Sequence, residues 1–112
     1  ARRYSEKISH PDVIKPICRE GRASANHLYV VRSTVRDQLK KWLLDNGVET
    51  MIHYPMPLHL QAAFAFVKCE SGQLPHTEEH ARVVMSLPNY PELSLQDVDM
   101  VSDLINNFKA TC

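Results

Sequence analysis

The alternation of apolar and polar positions changes period several times along this chain, and each change predicts an element. Residues 27–32 are dense in strand formers, with Tyr29, Val30 and Val31 in succession, which predicts a strand. Behind it Ser33 and Thr34 can cap a helix on which Val35, Leu39, Trp42 and Leu43 recur at helical spacing. Asn46-Gly47 closes that helix with a residue pair suited to the left-handed region. Residues 48–53 return to alternation, with Val48, Thr50 and Ile52 on one face, and predict a second strand that ends at His53. The apolar run 60–67 predicts a short helix packed on the core. Thr77 can cap a helix over residues 78–85, with Glu78 and Glu79 near its positive dipole end. Ser94 caps a last helix whose apolar stripe is Val98, Val101, Ile105 and Phe108.

The connecting segments follow from turn chemistry. Tyr4 and Ile8, four apart, read as the tail of an amphipathic helix that His10-Pro11 ends. Residues 13–18 suggest a short strand, held to a sheet edge by Pro16. Glu20-Gly21-Arg22 reads as a turn, Cys69-Glu70-Ser71-Gly72 as an exposed loop, and residues 87–91, with Pro88 and Pro91, as a stiff linker. Strands alternating with helices predict a small α/β (α+β) domain, a short sheet covered by helices on one face.

Length and charge narrow the class. The 112 residues suit a single domain spanning 1–112, and 44% hydrophobic with 23% charged residues is a globular composition. Thirteen basic and thirteen acidic residues cancel, so net charge gives no reason to expect nucleic acid or an anionic membrane as partner. Cys18, Cys69 and Cys112 are far apart and form no C-x-x-C pair, the pattern of reduced thiols in a cytoplasmic protein. No apolar run approaches the ~18–20 residues that span a bilayer. Ala1-Arg2-Arg3-Tyr4 leads into polar residues without a signal-peptide pattern. The chain opens without Met in what reads as mid-helix, which points to a piece of a longer polypeptide.

The densest candidate chemistry lies in His53-Tyr54-Pro55-Met56-Pro57-Leu58-His59-Leu60-Gln61. Two imidazoles, a phenol and an amide share nine residues stiffened by two prolines, which suits a rigid loop presenting polar groups to a ligand. His76 and His80 are four apart on a helix and could face one metal. No third ligand is specified and no H-E-x-x-H occurs, so a solvated helix face accounts for them better. The chain has no G-x-S-x-G turn, Walker lysine or dinucleotide fingerprint, and its three glycines build no phosphate-cradling loop.

Several ordered motifs resemble one family. Asn26-His27-Leu28-Tyr29-Val30-Val31-Arg32, Arg36-Asp37-Gln38-Leu39, Leu44-Asp45-Asn46-Gly47-Val48-Glu49-Thr50, the His53–Gln61 stretch, Gln73-Leu74-Pro75 and Ser86-Leu87-Pro88-Asn89-Tyr90-Pro91 follow one another at matching intervals. Together with Ala1-Arg2-Arg3-Tyr4, they resemble the C-terminal part of the DegT/DnrJ/StrS sugar-nucleotide aminotransferases. The resemblance implies the small C-terminal domain of a fold-type-I, pyridoxal-phosphate-dependent enzyme. Such an enzyme is a homodimer that moves an amino group, usually from glutamate, to a nucleotide-linked keto-sugar for surface polysaccharide, lipopolysaccharide or deoxyaminosugar synthesis. It also implies substrate-binding roles for His53 and Tyr54, extended to His59 and Gln61.

The family's cofactor lysine, commonly in a Ser-x-x-Lys setting, belongs to a large N-terminal domain. None of Lys7, Lys15, Lys40, Lys41, Lys68 and Lys109 has Ser at minus three. The expectation is therefore a chain that supplies no catalytic residue, binds no cofactor by itself and is inactive without its large domain. The alternative is a free-standing binding or assembly module. An excised domain would also leave an apolar face uncovered and self-associate.

Overall fold

A computed structural model describes residues 1–111, and Cys112 lies outside the described residues. Helix α1 (Arg2–Lys7) places Tyr4 and Ile8 in the core, at 0% and 1% exposure, as their spacing predicts. The expected strand at residues 13–18 shrinks to one antiparallel bridge, Ile14 with Arg32. Pro16 has no N–H to extend the ladder, and every residue from 16 to 28 is exposed.

Strand β1 (Tyr29–Arg32) leads into helix α2 (Arg36–Asp45). Neither Ser33 nor Thr34 caps α2. Val35 occupies the N-cap, while the Ser33 hydroxyl accepts from the Val35 N–H at 3.3 Å. Gly47 ends the helix at φ +80°, in the left-handed region that glycine tolerates. Residues 48–53 form one bridge, Met51 with Ser86, and no full strand. The predicted alternation survives, with Val48 and Thr50 both 4% exposed. A ladder beyond Met51 is cut short because the chain turns at the prolines that follow His53.

The helix expected at residues 60–67 is replaced by two 3-10 turns, Leu58–Leu60 and Ala62–Val67, with no buried residue in either. An all-apolar run needs a cover on more than one side, and among the described residues only Phe64 of the run 62–67 is half-buried. Helix α3 (Pro75–Val83) starts at Pro75 and not beyond Thr77, because proline at the first helical position has its φ preset. It ends before Met85, which belongs to strand β2 (Val84–Leu87). Leu87 is thus the end of a strand and not part of the linker, and Cys69 is half-buried rather than exposed. Helix α4 (Leu95–Asn107) begins as read, with the Ser94 hydroxyl accepting from the Asp97 N–H at 3.0 Å.

β1 and β2 pair antiparallel, Tyr29 opposite Leu87 and Arg32 opposite Val84. The two isolated bridges extend this ribbon on its outer sides, giving a rudimentary four-segment sheet. α2 packs on β2 and on α4, and α1 packs on α4. Val31, Leu39, Leu43, Met85 and Ile105 meet at the centre, each 0–1% exposed. Arg3 clamps Asp99 with two hydrogen bonds of 2.7 and 2.6 Å, tying α1 to α4. The Trp42 indole donates to the Leu104 carbonyl at 2.9 Å and ties α2 to the same helix. Among the described residues no helix is long and apolar enough to cross a membrane.

Candidate functional site

The loop after Met51 is held where it enters. Ser86 on β2 pairs with Met51 through its backbone, and its hydroxyl shares a 2.9 Å hydrogen bond with Nδ1 of His53. That bond orients the imidazole and leaves Nε2 without a protein partner among the described residues. Tyr54 follows through a cis peptide bond and stands 72% exposed, its ring edge-on to that of His53 with centroids 6.0 Å apart.

His53 and Tyr54, with Met56 and Pro57, form one wall of a depression of about 250 Å³. Thr77, His80 and Ala81 of α3 form the opposite wall. Positions 77, 80 and 81 recur at helical spacing, so α3 presents one face to the loop, and Val84 at the start of β2 continues that wall. His80 Nε2 lies 3.4 Å from Arg32 Nη1 on β1, which sets a cationic group at the rim. The depression therefore offers two imidazoles, a phenol and the Thr77 hydroxyl over an apolar floor. Such groups donate to and accept from the hydroxyls of a polyol.

The other two candidates point elsewhere. His59 is folded inward with its side chain only 6% exposed, and its Nε2 meets Glu78 Oε1 at 3.2 Å. Gln61 donates from Nε2 to the Met56 carbonyl at 3.3 Å, closing the loop on itself. His76 and His80 both lie on the exposed side of α3, and among the described residues no three His, Cys, Asp or Glu side chains converge.

Glu78 is the residue that the sequence pattern did not single out as a site. Its carboxylate accepts from the Gly72 N–H at 2.8 Å, the Leu74 N–H at 3.4 Å and the Ser71 hydroxyl at 3.2 Å, besides His59. The Gly72 N–H above all, with His59, Leu74 and Ser71, holds this carboxyl below its ordinary value against the opposing effect of burial. One signal could have found it: Pro75 at the first helical position puts Glu78 one turn in, facing back over the loop that precedes the helix. Ser86 was legible only as part of a motif, since its role depends on β2 pairing with Met51.

Pyridoxal phosphate, which the resemblance implies, needs a lysine to hold it, and the lining of this depression does not fit it. No lysine lines the depression. Lys15 donates to the carbonyls of Ser5 and Ile8, Lys40 to that of Thr50, and Lys41 to the Asp45 carboxylate.

The chain is 40% identical over 96 residues to the pleiotropic regulatory protein of Geobacillus stearothermophilus, a match covering 86% of this chain and 26% of that protein. It is 33% identical over 105 residues to the dTDP-3-amino-3,6-dideoxy-alpha-D-galactopyranose transaminase of Aneurinibacillus thermoaerophilus, covering 94% of this chain and 28% of the relative. The fold superimposes on S. venezuelae DesV, solved in complex with a ketimine intermediate, with a TM-score of 0.87 and 33% identity over 94% of this chain and 28% of that one. The chain thus spans little more than a quarter of the length of these relatives. Its residues 1–106 match the DegT/DnrJ/EryC1/StrS aminotransferase family, and the chain belongs to it.

Proposed function

We propose that this chain is the C-terminal small domain of a larger pyridoxal-phosphate-dependent aminotransferase that moves an amino group from glutamate to a nucleotide-linked keto-sugar. The intact enzyme is a cytoplasmic homodimer that makes aminosugars for surface polysaccharide, lipopolysaccharide or deoxyaminosugar pathways. The transaminase name of the Aneurinibacillus relative and the family match support this reading. The observation that carries it for these residues is the pairing of His53 and Tyr54 on one wall of the depression, one oriented by Ser86 and the other exposed.

In this reading His53 Nε2 and the Tyr54 hydroxyl hydrogen-bond the sugar nucleotide and orient it; neither moves the reacting proton. Gln61 and His59 act on the same substrate through the shape of the loop, because Gln61 Nε2 is engaged within it and His59 Nε2 with Glu78 of α3. The cofactor lysine, the acidic partner of the pyridine nitrogen and the phosphate-binding groups lie in an N-terminal large domain. The 112-residue chain alone does not transaminate.

The test is His53→Ala in the full-length enzyme. Turnover or KM for the keto-sugar worsens on the order of tenfold to a hundredfold, the scale expected when a substrate-positioning group is removed. The cofactor absorbance stays unchanged. Loss of the cofactor spectrum would contradict the assignment, and a full-length protein without transaminase activity would favour a non-catalytic assembly module.

A further inference from the structure

The loop that carries His53 and Tyr54 is anchored at its far end by a buried ionisable pair. The His59 imidazole and the Glu78 carboxylate lie 3.2 Å apart, with side chains 6% and 9% exposed. We propose that this pair is a positioning clasp that fixes the substrate loop against α3, so that His59 serves substrate recognition without touching substrate. The proposal rests on the reading of His53 and Tyr54 as substrate-binding groups.

Three observations carry it. First, α3 is both wall and anchor. Thr77, His80 and Ala81 line the depression, while Glu78, between them in sequence, grips the loop that forms the facing wall. The His59–Glu78 contact therefore ties the exit of that loop to the helix that carries the opposite wall. Second, the loop has few other degrees of freedom. Ser86 holds His53 at the entrance, Pro55 and Pro57 restrict the backbone between, and Gln61 Nε2 returns to the Met56 carbonyl. Releasing His59 frees the exit of a segment that is otherwise constrained. Third, Glu78 is itself over-determined. The N–H groups of Gly72 and Leu74 and the Ser71 hydroxyl hold the carboxylate independently of His59, so it is a fixed post and not a mobile partner.

A different role for Glu78 has a distinct signature. If its task were only to satisfy the turn before α3, the bonds to residues 71, 72 and 74 would suffice and His59 would be dispensable. His59→Ala cuts the clasp while leaving that turn intact. His59→Gln keeps a donor at about the reach of Nε2.

In the full-length enzyme we expect His59→Ala to raise KM for the nucleotide-linked keto-sugar on the order of tenfold. The amino-donor half-reaction, followed by cofactor absorbance, stays unchanged, and His59→Gln recovers most of the loss. Hydrogen exchange of the 55–61 peptide quickens in His59→Ala, while the amides of residues 72 and 74 keep their protection. If His59→Ala does not fold, His59→Phe, which fills the space without a donor, takes its place with the same expectations.

Unchanged exchange over 55–61, or unchanged KM beside an impaired His53→Ala, overturns the clasp and leaves the substrate-loop reading standing. Equal impairment of the Ala and Gln variants also overturns it, since that means the imidazole itself contacts substrate. If His53→Ala has no effect on the keto-sugar half-reaction, the substrate-loop reading fails and the clasp fails as a device of recognition, whatever the exchange shows.

Discussion

At the scale of single residues, Glu78 links the site to the pH dependence of the fold. Its folded value lies below its ordinary 4.5, chiefly because the Gly72 N–H favours the charged form. A carboxyl depressed in this way contributes stability that is fully present above its unfolded value and is lost as pH falls through its lower folded value. Asp99, held down by the Arg3 guanidinium, acts with the same sign. We expect Glu78→Gln to lower stability at neutral pH and to flatten the acid limb below about pH 5. Urea unfolding followed by circular dichroism at several pH values checks it. A wild-type acid limb in the variant would mean that the carboxylate is not stabilised by its four donors. The same residue shows what sequence spacing leaves open. His53 and Tyr54 stood out because prolines flank them, whereas the pairing of His59 with Glu78 bridges nineteen positions and two elements. A period along the chain carries no information about which side chains meet across it.

At the scale of elements, legibility followed the strength of local signals. The last helix was readable from Ser94 through Ile105, because a cap and a 3.6-residue stripe agree. Its start also makes a quantitative expectation. The Ser94 hydroxyl accepts from the Asp97 N–H at 3.0 Å and donates to the Asp97 carboxylate at 2.6 Å. Ser94→Ala removes both bonds and should cost about 1 kcal/mol of stability, read as a shift in the urea midpoint without a change in slope. A null shift would mean that packing of Val98, Val101 and Ile105 alone sets the helix start.

Where local signals conflict, the pattern misled. Val83-Val84-Met85-Ser86-Leu87 continues an apolar run out of a helix, and only pairing with β1 decides that residues from Val84 onward form a strand. Residues 48–53 alternate correctly but gain a single bridge, since a ladder depends on the neighbour as well as on the strand. The run Ala62-Ala63-Phe64-Ala65-Phe66-Val67 is apolar, yet all of it but Phe64 stands exposed.

At the scale of the whole molecule, that uncovered run is part of a larger excess. A closed monomer of this mass exposes about 6,300 Å² and has a radius of gyration near 13 Å. This chain exposes 8130 Å² with a radius of 15.6 Å. The excess is about twice the ~800 Å² that each partner contributes to a standard interface. Much of the apolar share falls on two stretches, with Ile17 89% exposed in the first and Phe66 77% and Leu58 60% in the second. Surface of this kind is covered in a stable protein or drives association. We therefore expect the isolated 112-residue chain to self-associate, with a sedimentation coefficient that rises with concentration. The cause must be separated from oxidation of the exposed Cys18. Association through the apolar stretches persists in reductant and weakens in Phe66→Ser, whereas disulfide dimers vanish in reductant and ignore that substitution. A strictly monomeric profile at high concentration would mean that residues 54–67 fold back and close the surface in solution. The depression beside His53 would then be absent until the rest of the polypeptide opened it.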